Sequence, residues 1–418
     1  MSGLYKWAIF VSFRFVWNTV NKFLTTMPTD QSKMFDDCIF VIKLFGISIE
    51  RSPSIFVKIC SYTYVLINFV FYNILLTLNL YYTPRKIELL ISEVIFYFTE
   101  VSTCSKVIIL VFMREKLVDI LEFVNRDEFK GDYGDKNGLL YKYTNRIYKL
   151  WRKAYVVFSN MSFVFLMFTP IRNYISRADT DLPVCKYYFL SDQAREKYYT
   201  FWFIYQPFGL YGHMMYNVNF DLMTGGLFIF VIVQLQLLYN NLSNLKVSEE
   251  EILLPEELQD KIQVAKLHQC LRHYALIIEF CDKIQDLLSV SFFVQYFSAT
   301  LIICVVLCVL VLASSPDTLL FLLMYLTNMT SEIFVPGFLG NELTYKSEML
   351  MRAAYDCEWI PRSKKFKLSL RLFVERAKRP IVFTGLKMFS LSLITFTSIM
   401  KTAYSMFTLI RNVQEVPE

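Results

Sequence analysis

Residues 380–412 of this chain have the sequence PIVFTGLKMFSLSLITFTSIMKTAYSMFTLIRN. The segment is apolar enough to cross a membrane as a helix. Five side chains recur along it at spacings of three and four: Ser398, Thr402, Ser405, Leu409 and Asn412. At about 100° per residue these positions form one narrow stripe. A polar stripe on a membrane helix indicates either a pore lining or a face that is hydrogen-bonded to neighbouring helices.

Lys401 lies in the middle of the same segment. A charged side chain that faces lipid at the centre of a membrane helix costs at least about 2.5–3.5 kcal/mol. We therefore expect this part of the helix to face protein or water. The segment predicts that the chain spans a membrane and that its last helix has a surface not meant for lipid.

The composition of the whole chain also indicates a membrane protein. Hydrophobic residues make up 55% of the 418 residues and charged residues 19%, which is too apolar for one soluble domain. The net charge of +6 includes no basic block, so no nucleic-acid partner is expected. Nine cysteines and three histidines show no metal-ligand spacing, and no catalytic motif is present. We therefore predict neither a cofactor, nor a metal, nor an enzyme.

Seven apolar segments are long enough to cross a bilayer as helices. They are residues 59–84, 89–113, 154–171, 198–245, 287–316, 318–338 and 389–410. The fourth is unusually long, because a helix over the whole segment would extend about 72 Å. We expect it to project beyond the membrane or to break at Pro207 or at Gly225–Gly226.

Besides Lys401, the charged residues inside the predicted spans include Glu100, Lys106 and Glu332. Intramembrane charges either pair within the helix bundle or form an ion or proton path. Lys106 and Glu332 are both expected toward the cytoplasmic side of their spans, so they could pair with each other. A proton-coupled transporter would instead require Glu100 or Glu332 to titrate during transport.

Two loops, residues 243–285 and 340–379, are charged but have helical periodicity. They predict helices that pack outside the bilayer, against each other or against a neighbouring subunit; helices lying on the membrane surface are the alternative. An odd number of spans places the termini on opposite sides, and the basic residues mildly favour a cytoplasmic N-terminus. We predict one domain, 1–418. It comprises a cytoplasmic segment 1–54, six spans in 55–338, cytoplasmic anchor helices in 339–383 and a last span in 384–411.

A set of residues near the C-terminus resembles the tail of the insect odorant receptors. The set comprises Ala353-Ala354-Tyr355, Trp359, Lys378-Arg379-Pro380, Thr384-Gly385, Ser390-Leu391-Ser392, Phe396 and Lys401-Thr402-Ala403-Tyr404-Ser405. The rest of the chain resembles that family in the number and length of its spans and loops. Because the second cytoplasmic loop is short, the chain resembles an odorant-tuned subunit rather than the shared co-receptor.

The resemblance implies a subunit of a ligand-gated, non-selective cation channel in the plasma membrane. It implies seven spans with the N-terminus inside, four subunits around a pore lined by the last span, and co-receptor subunits as partners. Trp359, Tyr355 and Leu372 are then expected at the subunit interface. By alignment, Leu409 falls at the family's hydrophobic gate, and Asn412 and Val413 follow it.

The same resemblance places a pocket for a volatile organic ligand in the outer half of the bundle, between spans two, three, four and six. Residues expected at that depth are Tyr97, Phe98, Phe165, Met167, Tyr205, Tyr211, Tyr325 and Asn328. Each of these side chains could instead pack in the bundle or contact membrane lipid. Apolar burial would supply the affinity and a hydroxyl or amide would fix the orientation.

A second class of function, a seven-span receptor coupled to a G protein, predicts an external N-terminus and a disulfide from an external loop to the third span. Cys185 is the one cysteine in a predicted external loop, and it has no evident partner there. Neither an Asp/Glu-Arg-Tyr triplet after the third span nor an Asn-Pro-x-x-Tyr sequence in the last span is present. The proton-coupled transporter is the third candidate class.

Overall fold

The computed structural model of the protein describes residues 32–50, 53–129, 139–176, 182–312 and 316–414; much of the predicted segment 1–54 lies outside these ranges. Within them the chain is almost entirely helical, with one short hairpin. The helices are α1 (Asp36–Leu44), α2 (Ile55–Val65), α3 (Phe71–Tyr82), α4 (Ile87–Phe112), α5 (Arg114–Phe123), α6 (Leu139–Ser176), α7 (Asp192–Lys197), α8 (Tyr199–Ser243), α9 (Glu249–Ile252), α10 (Glu256–Leu312), α11 (Pro316–Asp356), α12 (Lys364–Ala377) and α13 (Leu393–Gln414).

Six helical stretches have the length and hydropathy needed to cross a membrane. They are Ile55–Tyr82, which joins α2 and α3 through a π-helical turn, and Glu93–Phe112, Asn145–Ser176, Tyr199–Ser243, Glu256–Leu310 and Thr318–Asp356. The last helix, α13, adds a seventh, because its 22 residues extend about 33 Å. The all-α fold with seven membrane helices is the one that the sequence predicts.

Helix α8 lies at the centre of the bundle and packs against α1, α4, α6, α10 and α11. Its 45 residues run without interruption through Pro207 and extend about 67 Å, so it projects beyond a bilayer. Gly225 and Gly226 do not break it. A Cβ on Gly225 would lie 2.7 Å from the Trp151 ring, and one on Gly226 would lie 2.7 Å from Phe35. The two glycines therefore allow neighbouring aromatic rings to pack directly against the helix backbone.

Most of the first charged loop and the first part of the second are continuations of membrane helices, whereas Lys364–Ala377 forms the separate helix α12. Helix α10 has 57 residues and α11 has 41, so each extends well beyond a bilayer. Their projecting ends pack with α5 and α12, which we call the extension end of the molecule. Aromatic contacts hold this end together: Phe123 stacks on Phe280 at 5.5 Å, and Tyr274 meets Phe373 edge-on at 5.1 Å.

A two-stranded hairpin precedes the last helix, where the sequence predicted the span to begin at Phe389. Strand β1 (Thr384–Gly385) pairs with β2 (Phe389–Ser390) in antiparallel register. Gln285 on α10 holds the hairpin, because its amide donates to the Thr384 carbonyl at 2.9 Å and accepts from the Thr384 N–H at 2.8 Å. The hairpin thus connects the extension end to α13 and fixes where that helix begins.

Candidate ligand-binding cavity

Helices α4, α6, α8 and α11 enclose a cavity with about 740 Å³ of free space, including the part that is open to the outside. The apolar part of its wall comprises Phe96, Phe163, Leu166, Leu210, Met214, Val218, Phe321 and Met329. The polar part comprises Thr99, Glu100, Thr103, Tyr155, Ser159, Ser162, Asn217, Tyr325, Asn328 and Glu332.

Helix α11 presents three polar side chains to the cavity, because Tyr325, Asn328 and Glu332 follow one another at spacings of three and four. The Tyr325 hydroxyl is hydrogen-bonded to the Thr99 hydroxyl across the cavity. The Asn328 Oδ1 atom is buried and makes no hydrogen bond within the described residues. A buried acceptor without a partner is costly unless water or a ligand supplies the donor.

Lys106, on α4, is fully buried at the end of the cavity that Glu332 and Asn217 line. Its Nζ atom donates to Asn217 Oδ1 at 2.7 Å, to Asp221 Oδ1 at 2.6 Å and to Glu332 Oε1 at 2.7 Å. The pairing of Lys106 with Glu332, one of the two alternatives that the sequence left open, is present in the structure, and Asp221 joins it. One ammonium with three acceptors satisfies the lysine, but two carboxylates share a single positive charge.

A second buried pair, Glu100 and His213, connects the cavity wall to the first span. Glu100 Oε2 lies 2.5 Å from His213 Nδ1, and His213 Nε2 lies 2.6 Å from the Asn68 carbonyl oxygen. Because a carbonyl only accepts, Nε2 carries a proton. The hydrogen bond at Nδ1 then joins either an imidazolium to a carboxylate or a neutral imidazole to a carboxylic acid. The pair has no net charge in either arrangement.

Of the eight residues predicted to bind ligand, Tyr325 and Asn328 line the cavity. Tyr97 and Phe98 lie between Phe96 and Thr99, which do line it. Tyr211 donates to Asn160 Oδ1 at 3.0 Å. Tyr205 donates to the Ile67 carbonyl at 2.8 Å.

The remaining two, Phe165 and Met167, flank the lining residue Leu166. The structure therefore brings the four expected helices together, but six of the eight residues lie outside the lining. One step along a helix turns a side chain by about 100°, which is enough to move it from the cavity to the next helix. A ligand contact by these six residues stays a prediction.

Sequence reasoning missed most of the polar wall. A signal was available, because Thr99 and Thr103 are four residues apart and Ser159 and Ser162 are three apart within apolar spans. Pairs of hydroxyl residues at this spacing share one face of a helix. The apolar lining residues gave no such signal, because Leu and Phe are equally expected on every face of a membrane helix.

The predicted stripe on the last helix faces out of the subunit. Ser398, Thr402, Ser405 and Leu409 are exposed, Leu409 by 65%, whereas Ala403 is fully buried against the bundle. Lys401 is exposed as well. The helix continues to Gln414, but the side chains of Asn412 and Val413 lie outside the described residues.

The predicted interface residues lie at the extension end. Tyr355 and Leu372 are exposed by 76% and 64%, which is unusual for such apolar side chains in a single subunit. Trp359 differs, because it is partly buried and packs against the subunit's own core. Two of the three side chains are therefore free to meet another chain.

Comparison with known proteins identifies close parallels to this architecture. The family model described as 7tm Odorant receptor matches residues 86–404. Odorant receptor 2a of Drosophila melanogaster is 32% identical over 148 residues, which is 35% of this chain and 37% of that protein. Odorant receptor Or1 of Anopheles gambiae is 25% identical over 281 residues, 60% of this chain and 66% of that protein. The chain thus spans between about a third and two thirds of the length of these relatives.

A solved structure extends the likeness to nearly the whole chain. The insect olfactory receptor OR5 from Machilis hrabei, in complex with eugenol, superposes with a TM-score of 0.77. The match covers 92% of this chain and 98% of that chain, at 15% sequence identity. At this identity the likeness shows a shared fold.

Proposed function

The chain belongs to the insect odorant receptor family, and from this we propose that it is the odorant-binding subunit of a ligand-gated, non-selective cation channel. The channel opens when a volatile organic ligand occupies the cavity between α4, α6, α8 and α11. The observation that carries the proposal is the cavity itself. It lies between four membrane helices, most of its exposed surface is apolar, and polar groups from all four helices converge on it.

The cavity suits volatile ligands for a simple energetic reason. Such molecules are small and mostly apolar, so burial of their surface at about 25 cal/mol per Å² supplies the affinity. The Tyr325 and Asn328 side chains supply the polar contacts that fix the orientation of the ligand. Binding can open the channel only if the ligand fits the open arrangement of the helices better than the closed one.

The last helix supports the pore part of the proposal. Its polar side chains are exposed in the single subunit, and four copies around an axis would place them in a shared, water-filled channel. Leu409 is the proposed gate, because a ring of leucines can close a pore by excluding water. Asn412 and Val413 are proposed to follow the gate along the pore.

The extension end supports assembly into a tetramer with co-receptor subunits. Its exposed apolar side chains, Tyr355 and Leu372, together with Ile360 and Leu368, would be buried by neighbouring chains. We place this end in the cytoplasm and the assembled channel in the plasma membrane. The N-terminus is then inside and the C-terminus outside.

Whole-cell current during application of a panel of volatiles tests the proposal, with the chain expressed alone and with an insect odorant co-receptor. We expect a fast inward cation current that requires the co-receptor. Val218→Trp, which fills the cavity with an indole ring, should abolish the response while surface expression persists. A response that appears through a G-protein readout without current would contradict the channel, and an unchanged response in Val218→Trp would contradict the cavity.

A further inference from the structure

We propose that the cavity selects volatiles that carry a hydrogen-bond donor, namely alcohols, phenols and amines, over acceptor-only ethers, esters and ketones of the same shape. This inference rests on the proposed binding of a volatile in the cavity. Four of the six hydroxyl groups on the wall donate their protons within the protein, so they offer a ligand only lone pairs.

Three hydroxyl groups of the wall donate to their own helix backbone. Thr99 donates to the Ile95 carbonyl at 2.8 Å, Thr103 to the Thr99 carbonyl at 3.0 Å, and Ser159 to the Tyr155 carbonyl at 2.9 Å. A hydroxyl has one proton and two lone pairs. Once its proton is committed, each of these groups can only accept a hydrogen bond from a molecule in the cavity.

The Tyr325 hydroxyl also uses its proton within the protein. Its hydroxyl is bonded to that of Thr99, whose single proton already goes to the Ile95 carbonyl. The Tyr325 hydroxyl is therefore the donor in this bond, and its oxygen keeps only acceptor capacity toward the cavity. Asn328 lies one turn further along α11, and its buried Oδ1 atom has no partner in the described part of the chain. Two acceptors thus stand side by side on one helix face.

The charges around the cavity are paired within the protein. Glu100 and His213 together carry no net charge, whichever of them holds the shared proton. Lys106 donates to Asn217, Asp221 and Glu332, and these three acceptors use all the N–H groups of its ammonium. The buried lysine therefore offers no donor to a ligand in the cavity.

Some donors do remain on the wall: the Ser162 hydroxyl, the Tyr155 hydroxyl and the amide groups of Asn217 and Asn328. An acceptor-only ligand would have to use these. Such a ligand would leave the Asn328 Oδ1 atom buried without a hydrogen bond. The O–H group of an alcohol would supply the missing donor. A site built to bond a ligand hydroxyl discriminates strongly against the analogue that lacks it.

Matched isomers test the inference in cells that express the chain with an insect odorant co-receptor. One pair is octan-1-ol and heptyl methyl ether, and another is 4-ethylphenol and 4-methylanisole; within each pair the atoms are the same and only the donor is lost. We expect the half-maximal concentration of the donor member to be lower by about tenfold or more, at matched concentrations in the aqueous phase. Equal potency of the two isomers in both pairs would overturn the inference.

Variants assign the selectivity to the named acceptors. Asn328→Leu should reduce the ratio of alcohol potency to ether potency toward one, because the alcohol loses the acceptor that its hydroxyl proton would reach. Tyr325→Phe should reduce it less, because the freed Thr99 oxygen can accept in its place. Thr327→Val is the matched control, since Thr327 is the residue before Asn328 but is exposed and bonds to its own helix. A ratio that survives in Asn328→Leu and Tyr325→Phe would also contradict the inference.

The same recordings can also test the proposed function separately from the donor selectivity. Cells that carry the assembled protein at their surface but give no current to any volatile would contradict an odorant-gated channel. Cells that respond to ethers as well as to alcohols would keep the channel and reject only the donor selectivity. The two failures are therefore distinguishable in one experiment.

Discussion

Two lysines within membrane helices have opposite surroundings. Lys106 on α4 is fully buried and donates to three acceptors, whereas Lys401 on α13 is exposed and lies beside the exposed Thr402 and Ser405. Both positions are equally unusual in the sequence, because each places a charge in an apolar helix. The first charge is neutralised inside the subunit, and the second faces away from it.

The difference shows how a polar residue in a membrane helix should be interpreted. Around Lys106, acceptors from α8 and α11 complete the site, so this polar region holds the subunit together. On α13 the polar side chains face away from the subunit, so in the proposed channel they contact water and neighbouring subunits. Substitutions around Lys106 should therefore lower the stability of the subunit, and substitutions on the exposed face of α13 should change conduction.

The largest effect is expected from Lys106→Met. Removing the ammonium leaves Asp221 and Glu332 buried without a counter-charge, and the loss of one partner from a buried ion pair typically costs about 3–5 kcal/mol. We expect little folded protein, as measured by fluorescence-detected size-exclusion chromatography in detergent.

Two further variants sharpen this result. Lys401→Met, the matched change on the exposed face, should give wild-type yield. Asp221→Asn with Glu332→Gln should recover part of the yield lost in Lys106→Met, because the uncompensated charges are then removed. Equal yields of the two lysine variants would contradict the contrast between the regions.

The next effect is expected at Gly340, where α11 packs against the residues that lead into α13. A Cβ there would lie 2.4 Å from the Leu391 carbonyl oxygen, just before α13 begins, and backbone cannot move aside as a side chain can. Gly340→Ala should lower the free energy of unfolding by about 1–3 kcal/mol, as overpacking usually does. Gly337→Ala is the comparison, because its Cβ would meet the Ser392 carbonyl oxygen at 3.2 Å. We expect a clearly smaller loss of thermal stability there; equal losses would argue against the close contact.

The fold could be predicted from the sequence because long apolar segments can satisfy their backbone only as membrane helices. The helical extensions were also predictable from periodicity. The sequence did not predict that these extensions continue the membrane helices. Helix α10 runs from Glu256 to Leu312 in one piece, although its apolar residues cover one face in the extension and all faces in the span. The hairpin at Thr384–Ser390 was missed because its turn uses Leu386 and Lys387 at positive φ, where glycine or asparagine is usual.

The candidate site was predictable only in part, for a related reason. The family resemblance placed the pocket between the four spans that line the cavity, and two of the eight residues it suggested, Tyr325 and Asn328, lie on the wall. Phe96 and Leu166 could not be told from Tyr97 and Phe165, since nothing in an apolar span distinguishes a cavity face from a lipid face. Partnership across helices, such as Glu100 with His213, depends on three-dimensional packing that one sequence does not reveal.

A moderate effect, confined to conduction, is expected from Leu409→Ala. The side chain is 65% exposed in the subunit, so its loss should change stability by less than about 1 kcal/mol. If four such side chains close the pore, smaller ones will wet it, and the current without ligand should rise several-fold. Ile394→Ala, at the other end of α13 and also exposed, should leave the ligand-free current unchanged. An unchanged leak in surface-expressed Leu409→Ala would remove the gate from this position.

The smallest effect is expected from Thr402→Val on the exposed stripe. The Thr402 hydroxyl donates to the Ser398 carbonyl at 2.9 Å, within its own helix, so no contact with another element is lost. The free energy of unfolding should therefore change by no more than about 0.5 kcal/mol. If the stripe lines the pore, replacing a hydroxyl by a methyl group should still lower the single-channel conductance, because one polar contact for passing ions is lost in each copy. A variant with wild-type conductance and reduced stability would mean that this face packs against protein, as the polar cluster around Lys106 does.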